Sequence, residues 1–409
     1  MAPSRQYDIV LLGATGFTAG YVAEYIASNS PANLHWAIAG RDTGKLDKLR
    51  RKLAELNSSS GSKPATEQIN LKVDDLSTLT SRTRVLINAV GPYTSFGDAV
   101  LSACAKSGTS YVDFCTETPW LEEMISKYSN IAKQNSARIV PAIGNSSSPS
   151  SLVAYLLAKQ YRKVHDKPVE DIRCSYELKI HGMSAGSLSS ILEVVGRYGV
   201  GPLLFPNPYR LCSREEARRS PNSRKPFLGH CKDDRLGHLA TSFGAPGNEA
   251  VVYRSQQLQP SIYGDSLSYH EFMPASSAFQ AIMIHVVTKF MIFLLYFRPV
   301  RTLVGYLKPA PGTGPSKEVS QGEKIEVTAV TRDDKTLLAK YSFVGPMYFH
   351  SALLAVEAAM ALLGLWAADE QDGAEKDEER YGILTPSCLG MPFVERLKDA
   401  GVKIEVSTS

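Results

Sequence analysis

Three side chains of acid–base type stand where runs of apolar residues end: Tyr93, Glu117 and His181. Tyr93 follows Gly91-Pro92, and a phenol there has the chemistry to protonate a reduced carbon or nitrogen, although it equally suits packing. Asp113 and Glu117 lie four residues apart at the close of SYVDF (110–114), so either carboxyl serves as an acid or base, or caps a helix beginning near Trp120. His181 closes the long alternating run DIRCSYELKIHG (171–182), and a lone histidine there is a catalytic candidate or a structural residue. Tyr155 and Lys159 have the spacing by which a lysine lowers a tyrosine's pKa. Ala142 and Ile143 stand where the matching serine would fall, so the pair reads as helix core. No Ser-His-Asp arrangement or metal-ligand cluster emerges from the spacing, and no metal is expected.

A glycine-rich turn supplies what such groups would act beside. In IVLLGATGFTAG (9–20), four apolar residues run into G-x-x-G-x-x-A and then a helical segment. Gly13 permits the tight turn, Gly16 the close approach of a pyrophosphate, and Ala19 or Gly20 the packing of helix on strand. Gly13, Thr15, Gly16, Phe17 and Thr18 therefore form the expected cradle of a dinucleotide. The next strand ends WAIAGRD, and the guanidinium of Arg41 suits a 2′-phosphate better than a ribose hydroxyl, with Asp42 the competing signal. The expected cofactor is NADPH/NADP.

The elements that would position these residues follow from patterning. The chain has 409 residues, 44% hydrophobic and 21% charged, enough for two ordinary globular domains. Strands are expected at 7–12, 34–39, 69–73, 85–90, 110–114 and 137–142, with helices at 16–28, 43–56, 97–107 and 120–135. This alternation predicts a Rossmann-type doubly wound parallel sheet over residues 1–165. Residues 166–345 carry longer alternating runs at 171–182, 322–333 and 335–345, which predict a second α/β domain on a mostly antiparallel sheet. Segment 346–409 is expected to return to the first domain, its stretch 351–367 as a core helix. The stretches 57–68 and 213–238 read as solvated loops, and 368–380 as an acidic linker. The formal charge of +4 is too small to argue for nucleic acid. Six scattered cysteines without a C-x-x-C pair, and a start with no secretory pattern, predict an intracellular, reduced chain.

Several stretches coincide with one family. IVLLGATGFTAG, WAIAGRDTGKL, LINAVGPYTSFGDAVLSAC, YVDFCTE, KPAPGTGPSKE and TPSCLGMPFVERLKDAGVKIEV together resemble the saccharopine dehydrogenase-like oxidoreductases, a group that includes the trans-acting enoyl reductases. The resemblance implies that Asp74 contacts adenine and that Asn88, Ala89, Val90 and Gly91 run past the nicotinamide, with Pro92 and Tyr93 beside them. It matches Asp113 and Glu117 to the family's Y-x-D-x-x-G-E pattern, with Thr116 in place of its glycine. The family's G-F-D-S-x-P-S-D is here Gly144-Asn145-Ser146-Ser147-Ser148-Pro149-Ser150-Ser151, so serines 146 and 151 replace two carboxylates.

The twenty residues AFQAIMIHVVTKFMIFLLYF (278–297) are long enough for a bilayer span, but a central lysine costs ~2.5–3.5 kcal/mol on insertion scales. They read as an amphipathic helix whose apolar face is core, a homodimer interface or a membrane or lipid-surface contact, with a true span as the remaining alternative. The expected activity is NADPH-dependent reduction of a C=C or C=N bond in a small hydrophobic, polyketide- or lipid-like substrate, free or carrier-bound. The expected location is the cytoplasm or the periphery of a membrane or lipid droplet. Two rivals stand beside it: a non-redox isomerase or cyclase on the same fold, suggested by the 144–151 loop, and a non-enzymatic lipid-surface or partner-binding protein.

Overall fold

The computed structural model describes residues 5–56, 63–71, 76–213, 226, 228–332, 337–372 and 380–408. Its first sheet is wholly parallel and contains β1 (Tyr7–Leu12), β2 (Trp36–Gly40), β3 (Ala65–Gln68), β4 (Thr83–Asn88), β5 (Ser110–Asp113), β6 (Arg138–Val140) and, from far down the chain, β13 (Gly382–Ile383). Their spatial order is β13-β6-β5-β4-β1-β2-β3. The order reverses between β1 and β4, and the carboxyl ends of these two strands open the crevice where such sheets bind ligands. Ile9–Leu12 and Val85–Asn88 are buried throughout, as strands covered on both faces must be.

The second sheet holds β7 (Asp171–Lys179), β8 (His230–Asp233), β9 (Gly237–Ala240), β10 (Ser268–Ala275), β11 (Lys324–Thr331), β12 (Leu337–Val344) and β14 (Lys403–Thr408), in the order β14-β12-β11-β7-β10-β9-β8. Every pairing is antiparallel except β7 with β10. In β7 the residues Ile172, Cys174 and Tyr176 are buried and their neighbours are not, which is the alternation of a strand with one packed face.

Helices α1 (Phe17–Asn29), α2 (Thr43–Leu56), α3 (Ser77–Ser81), α4 (Tyr93–Ser107) and α5 (Thr118–Gln134) connect the first six strands. Beyond them come α6 (Ser148–His165), α7 (Ala185–Tyr198), α8 (Gly201–Leu204), α9 (Ala245–Leu258), α10 (Pro260–Tyr263), α11 (Ala278–Leu294), α12 (Arg298–Leu307), α13 (Lys317–Ser320), α14 (Met347–Asp372) and α15 (Gly390–Asp399). α6 packs on β11 and β12, so the domain junction expected at residue 165 falls behind a helix that already serves the second sheet. The tail divides: α14 and β13 join the first sheet, whereas β14 pairs with β12 in the second.

The structure moves several expected elements. The third strand is 65–68 rather than 69–73, inside a stretch expected to be loop. It is an edge strand with alternating exposure, held by polar contacts: Glu67 accepts from the Tyr7 hydroxyl (2.7 Å) and pairs with Arg82 (3.3 Å). An apolar pattern could not reveal it. The end of the expected loop 213–238 begins the β8–β9 hairpin; residues 214–225 and 227 lie outside the described residues. The fourth helix starts at Tyr93, not 97, because its first turn is capped from elsewhere in the chain. The expected acidic linker begins inside α14, which runs to Asp372.

Met347–Asp369 within α14 is long and apolar enough to cross a bilayer, yet it lies in the core against α1, β4 and β5. Its central Glu357 is answered there, accepting from the Tyr25 hydroxyl (2.7 Å) and pairing with Arg396 (2.7 Å). α11 and α12 behave oppositely. Ala281 and Ile292 are buried in α11 and none of α12 is, which removes the core alternative for the 278–297 face.

Candidate functional site

The crevice has one side built of bare backbone. Gly13 has φ +80°, and a Cβ there would stand 2.6 Å from Val90 Cγ2 and 3.1 Å from the Ala89 carbonyl carbon. The turn thus lies directly on the β4 exit, and the structure brings Gly13, Gly16, Ala89 and Val90 together. Gly16 is the residue before α1, whose first turn has no capping side chain and no acidic residue. The free amides at that end and the positive end of the helix dipole together suit an anionic pyrophosphate. Thr15 is exposed at the turn, with Phe17 and Thr18 half-buried beside it.

Arg41 is exposed directly after β2. Asp42, the competing signal, is turned to its own helix: its carboxylate accepts from the Lys45 amide (3.0 Å) and lies 4.0 Å from the Lys45 ammonium. The acid therefore caps α2, leaving Arg41 and Lys45 as the charges at the strand end. Lys45 went unnoticed in the sequence because it lies beyond the strand-end position that decides cofactor choice. Asp74 lies outside the described residues.

The opposite side of the crevice is saturated. Asn88 Oδ1 accepts from the Val90 amide (3.0 Å) and its Nδ2 donates to the Tyr111 hydroxyl (3.0 Å), which donates to Asp113 Oδ2 (2.7 Å). Asp113 Oδ1 accepts from the amides of Cys115 and Ala142, 2.9 Å each. This chain of bonds ties together the exits of β4, β5 and β6. Burial pushes the Asp113 carboxyl up to about 6 against the pull of its donors. The Tyr93 hydroxyl donates to the Asn88 carbonyl (3.1 Å) and accepts from the Phe114 amide (3.0 Å), and burial raises its pKa well above that of a free phenol.

Glu117, fully buried, caps a helix, but the earlier one. Its carboxylate accepts from the amides of Tyr93 (2.9 Å) and Thr94 (2.6 Å), from the Thr94 hydroxyl, and from the Ser190 hydroxyl of α7 (2.6 Å). A carboxylate at a helix N-terminus satisfies amides that lack intrahelical partners. Sequence spacing points only to the neighbouring α5; the actual partner is 24 residues away.

α7 roofs the crevice. The Ser184 amide before it donates to the Tyr348 hydroxyl (2.6 Å), and the Tyr348 ring meets Phe17 edge-on at 5.0 Å. Ser190 reaches Glu117, and Arg197 reaches the Thr94 carbonyl (3.2 Å) and Glu123 (2.9 Å). Leu188, Ile191 and Leu192 along this helix are half-buried. A strap over residues 309–316 crosses from the second domain to the turn. The Thr313 carbonyl accepts from the Ala185 amide (3.2 Å), and any Cβ at Gly314 would collide with the Phe17 ring. The sequence shows the glycines and prolines of this strap but not what lies beneath them.

His181 stands beside the strap, its neighbour Gly182 facing Pro315. Its amide donates to the buried Glu323 Oε1 (2.9 Å), while its ring is half-exposed and 3.9 Å from the same oxygen. His181 thus lies on the turn side of the roof, apart from Tyr93 and Glu117. In the 144–151 stretch, which runs into α6, Ser147 donates to Asn248 (3.2 Å) and Ser151 accepts from the Ser387 amide (3.3 Å), so these two hydroxyls hold neighbouring segments. Tyr155 is buried within α6.

A family model described as the saccharopine dehydrogenase NADP binding domain matches residues 9–140. A protein named trans-acting enoyl reductase from Mycobacterium bovis (strain BCG / Pasteur 1173P2) is 31% identical over 433 residues, covering 98% of each chain. One of the same name from Mycobacterium ulcerans (strain Agy99) is 29% identical over 434 residues, again covering 98% of each. The solved saccharopine dehydrogenase (L-Glu forming) of Saccharomyces cerevisiae aligns over 98% of this chain and 99% of its own, with 14% identity and a TM-score of 0.48.

Proposed function

The chain belongs to the saccharopine dehydrogenase-like oxidoreductases and is an NADP-dependent reductase; from that premise we propose that it reduces an activated C=C bond in a hydrophobic, acyl-type substrate. The observation that carries this is the asymmetry of the crevice. The β1–α1 turn offers unclaimed amides to a dinucleotide, and α7, tied to Glu117 at one point and to Tyr348 at another, carries half-buried leucine and isoleucine side chains. NADPH, when bound, supplies the hydride.

The protein's own work is to bind, orient and shield. Gly13, Gly16 and the start of α1 would hold the pyrophosphate, with Thr15 and Thr18 available beside it. Arg41 and Lys45 would meet the 2′-phosphate, and the β4 exit at Asn88–Gly91 would flank the nicotinamide. Asn88, Tyr111 and Asp113 fix that exit, while Tyr93 and Glu117 hold the start of α4 and the roof. All their polar atoms are engaged, so they are positioning residues, and the proton that completes an enoyl reduction comes from solvent. An enoyl acceptor tolerates this, because its enolate is basic enough to take a proton from water. The names of the full-length relatives support the same bond type.

The test is consumption of NADPH by the purified chain, followed by nicotinamide absorbance, with long-chain enoyl thioesters, matching ketones and cyclic imines offered separately. Oxidation with the enoyl thioester alone supports the proposal. Turnover of the imine or ketone, with the enoyl thioester inert, overturns the choice of bond.

A further inference from the structure

We propose that the helix pair α11–α12 seats this protein on an anionic phospholipid surface. The polarity of α11 is the reverse of what a water-facing helix shows. Its central cation, Lys289, turns toward the protein and donates to the carbonyls of Leu203 (3.3 Å) and Leu204 (2.5 Å) at the end of α8. His285 shares a hydrogen bond with Thr241 Oγ1 (2.8 Å) in β9's continuation. Toward solvent the helix presents Phe279, Met283, Val286, Val287, Phe290 and Met291, with Phe279 75% and Phe290 56% exposed.

The corner is built to stay bent. Arg301 donates to the carbonyls of Leu295 and Tyr296, 2.8 Å each, satisfying acceptors left open where α11 ends. α12 departs at 100° and continues the apolar surface through Leu303, Tyr306 and Leu307. The two helices make an L-shaped slab that lies along a surface. The packing of α11 on β8 and β9, together with the 100° bend, favours lying along a surface over crossing a bilayer. An apolar patch of this extent on a folded chain marks a contact with another phase or partner.

Charge identifies the partner. From Phe272 to Lys317 the sequence has no aspartate or glutamate, while it contains Lys289, Arg298, Arg301, Lys308 and Lys317. Arg298 and Lys308, at the two ends of α12, are exposed at the rim of the slab. Cations around an apolar face match anionic headgroups above acyl chains. A second copy of the same slab would bring equal charges together, with no carboxylate in this stretch to answer them. α12 leads into the 309–316 strap that rests on Phe17, so lipid seating brings the crevice within one strap of the membrane. The docking does not depend on which bond is reduced.

The test is flotation of the full chain with phosphatidylcholine vesicles, with and without phosphatidylglycerol. Two variants accompany it, Phe290→Ser/Met291→Ser and Arg298→Gln/Lys308→Gln, with thermal melting as the check on folding. The expected result is flotation with the phosphatidylglycerol vesicles only. Partition falls about tenfold in the apolar variant, and severalfold in the charge variant or in high salt, with melting unchanged. Absence of flotation, or equal flotation with neutral vesicles, overturns the proposal. So does a dimer in sedimentation velocity that Phe290→Ser/Met291→Ser dissociates, since the face would then be an interface between copies.

Discussion

The two walls of the crevice are made on opposite principles. On the β1–α1 side the chain removes side chains, so that Gly13 fits against Val90 and the start of α1 is left with amides that nothing caps. On the β4–β5 side it adds side chains and then occupies them. Asn88, Tyr93, Tyr111, Asp113 and Glu117 are all buried, and each has its polar atoms in hydrogen bonds. The first wall is ready to receive an anion. The second is ready to hold its shape. On the proposed reading, the acid–base residue types of the second wall position the crevice, and the free N–H groups of the first wall mark where a ligand binds.

The largest effect expected from this contrast is at Gly13. Gly13→Ala forces a Cβ onto Val90 at a positive φ, and calorimetry should show NADPH affinity lowered about a hundredfold. Unchanged affinity would break the assignment of the bare wall. Next is Arg41→Ala, which should weaken NADPH about tenfold to a hundredfold and leave NADH unchanged. Equal losses for both cofactors would move the 2′-phosphate contact elsewhere.

On the saturated wall the losses should be of stability rather than rate. Glu117→Gln turns an amide donor toward the amides of Tyr93 or Thr94 and should cost about 1–3 kcal/mol in denaturant unfolding, with kcat nearly retained. Tyr93→Phe should cost about 1–2 kcal/mol and leave the shape of the pH–rate profile unaltered. Loss of a limb of that profile in either variant, with folding intact, would make that residue an acid–base catalyst and erase the contrast.

A separate effect is a tilt with pH from a buried carboxyl outside the crevice. Glu271 accepts from Asn248 Nδ2 (2.6 Å) and Tyr269 (3.1 Å), and burial raises it from 4.5 to about 7. The folded chain holds this proton where the unfolded chain has released it. The stabilisation is therefore present below 4.5 and lost as pH rises through about 7. Glu271→Gln should flatten that component when unfolding is compared at about pH 5 and about pH 8.

What the sequence determined by itself is what local periodicity and backbone sterics dictate. Apolar strands alternating with helices specify the parallel sheet, and alternation over most of their length marks β7, β11 and β12. The glycine turn is legible because only glycine tolerates both a positive φ and a neighbour at the Gly13 position. The partners of polar side chains were not legible, since hydrogen bonds join residues far apart in the chain. Glu117 caps α4 rather than α5, and the 309–316 strap lands on Phe17. The polar edge strand β3 was missed for the same reason: contacts from Tyr7 and Arg82 hold it where its own pattern does not. Composition told that both the 278–297 and 351–367 stretches are apolar, but only tertiary structure decided their fates. In α14 the one central charge, Glu357, finds Tyr25 and Arg396 inside the protein, so the whole helix can be buried. In α11 it is the polar residues that find protein partners, and the apolar ones are left outside.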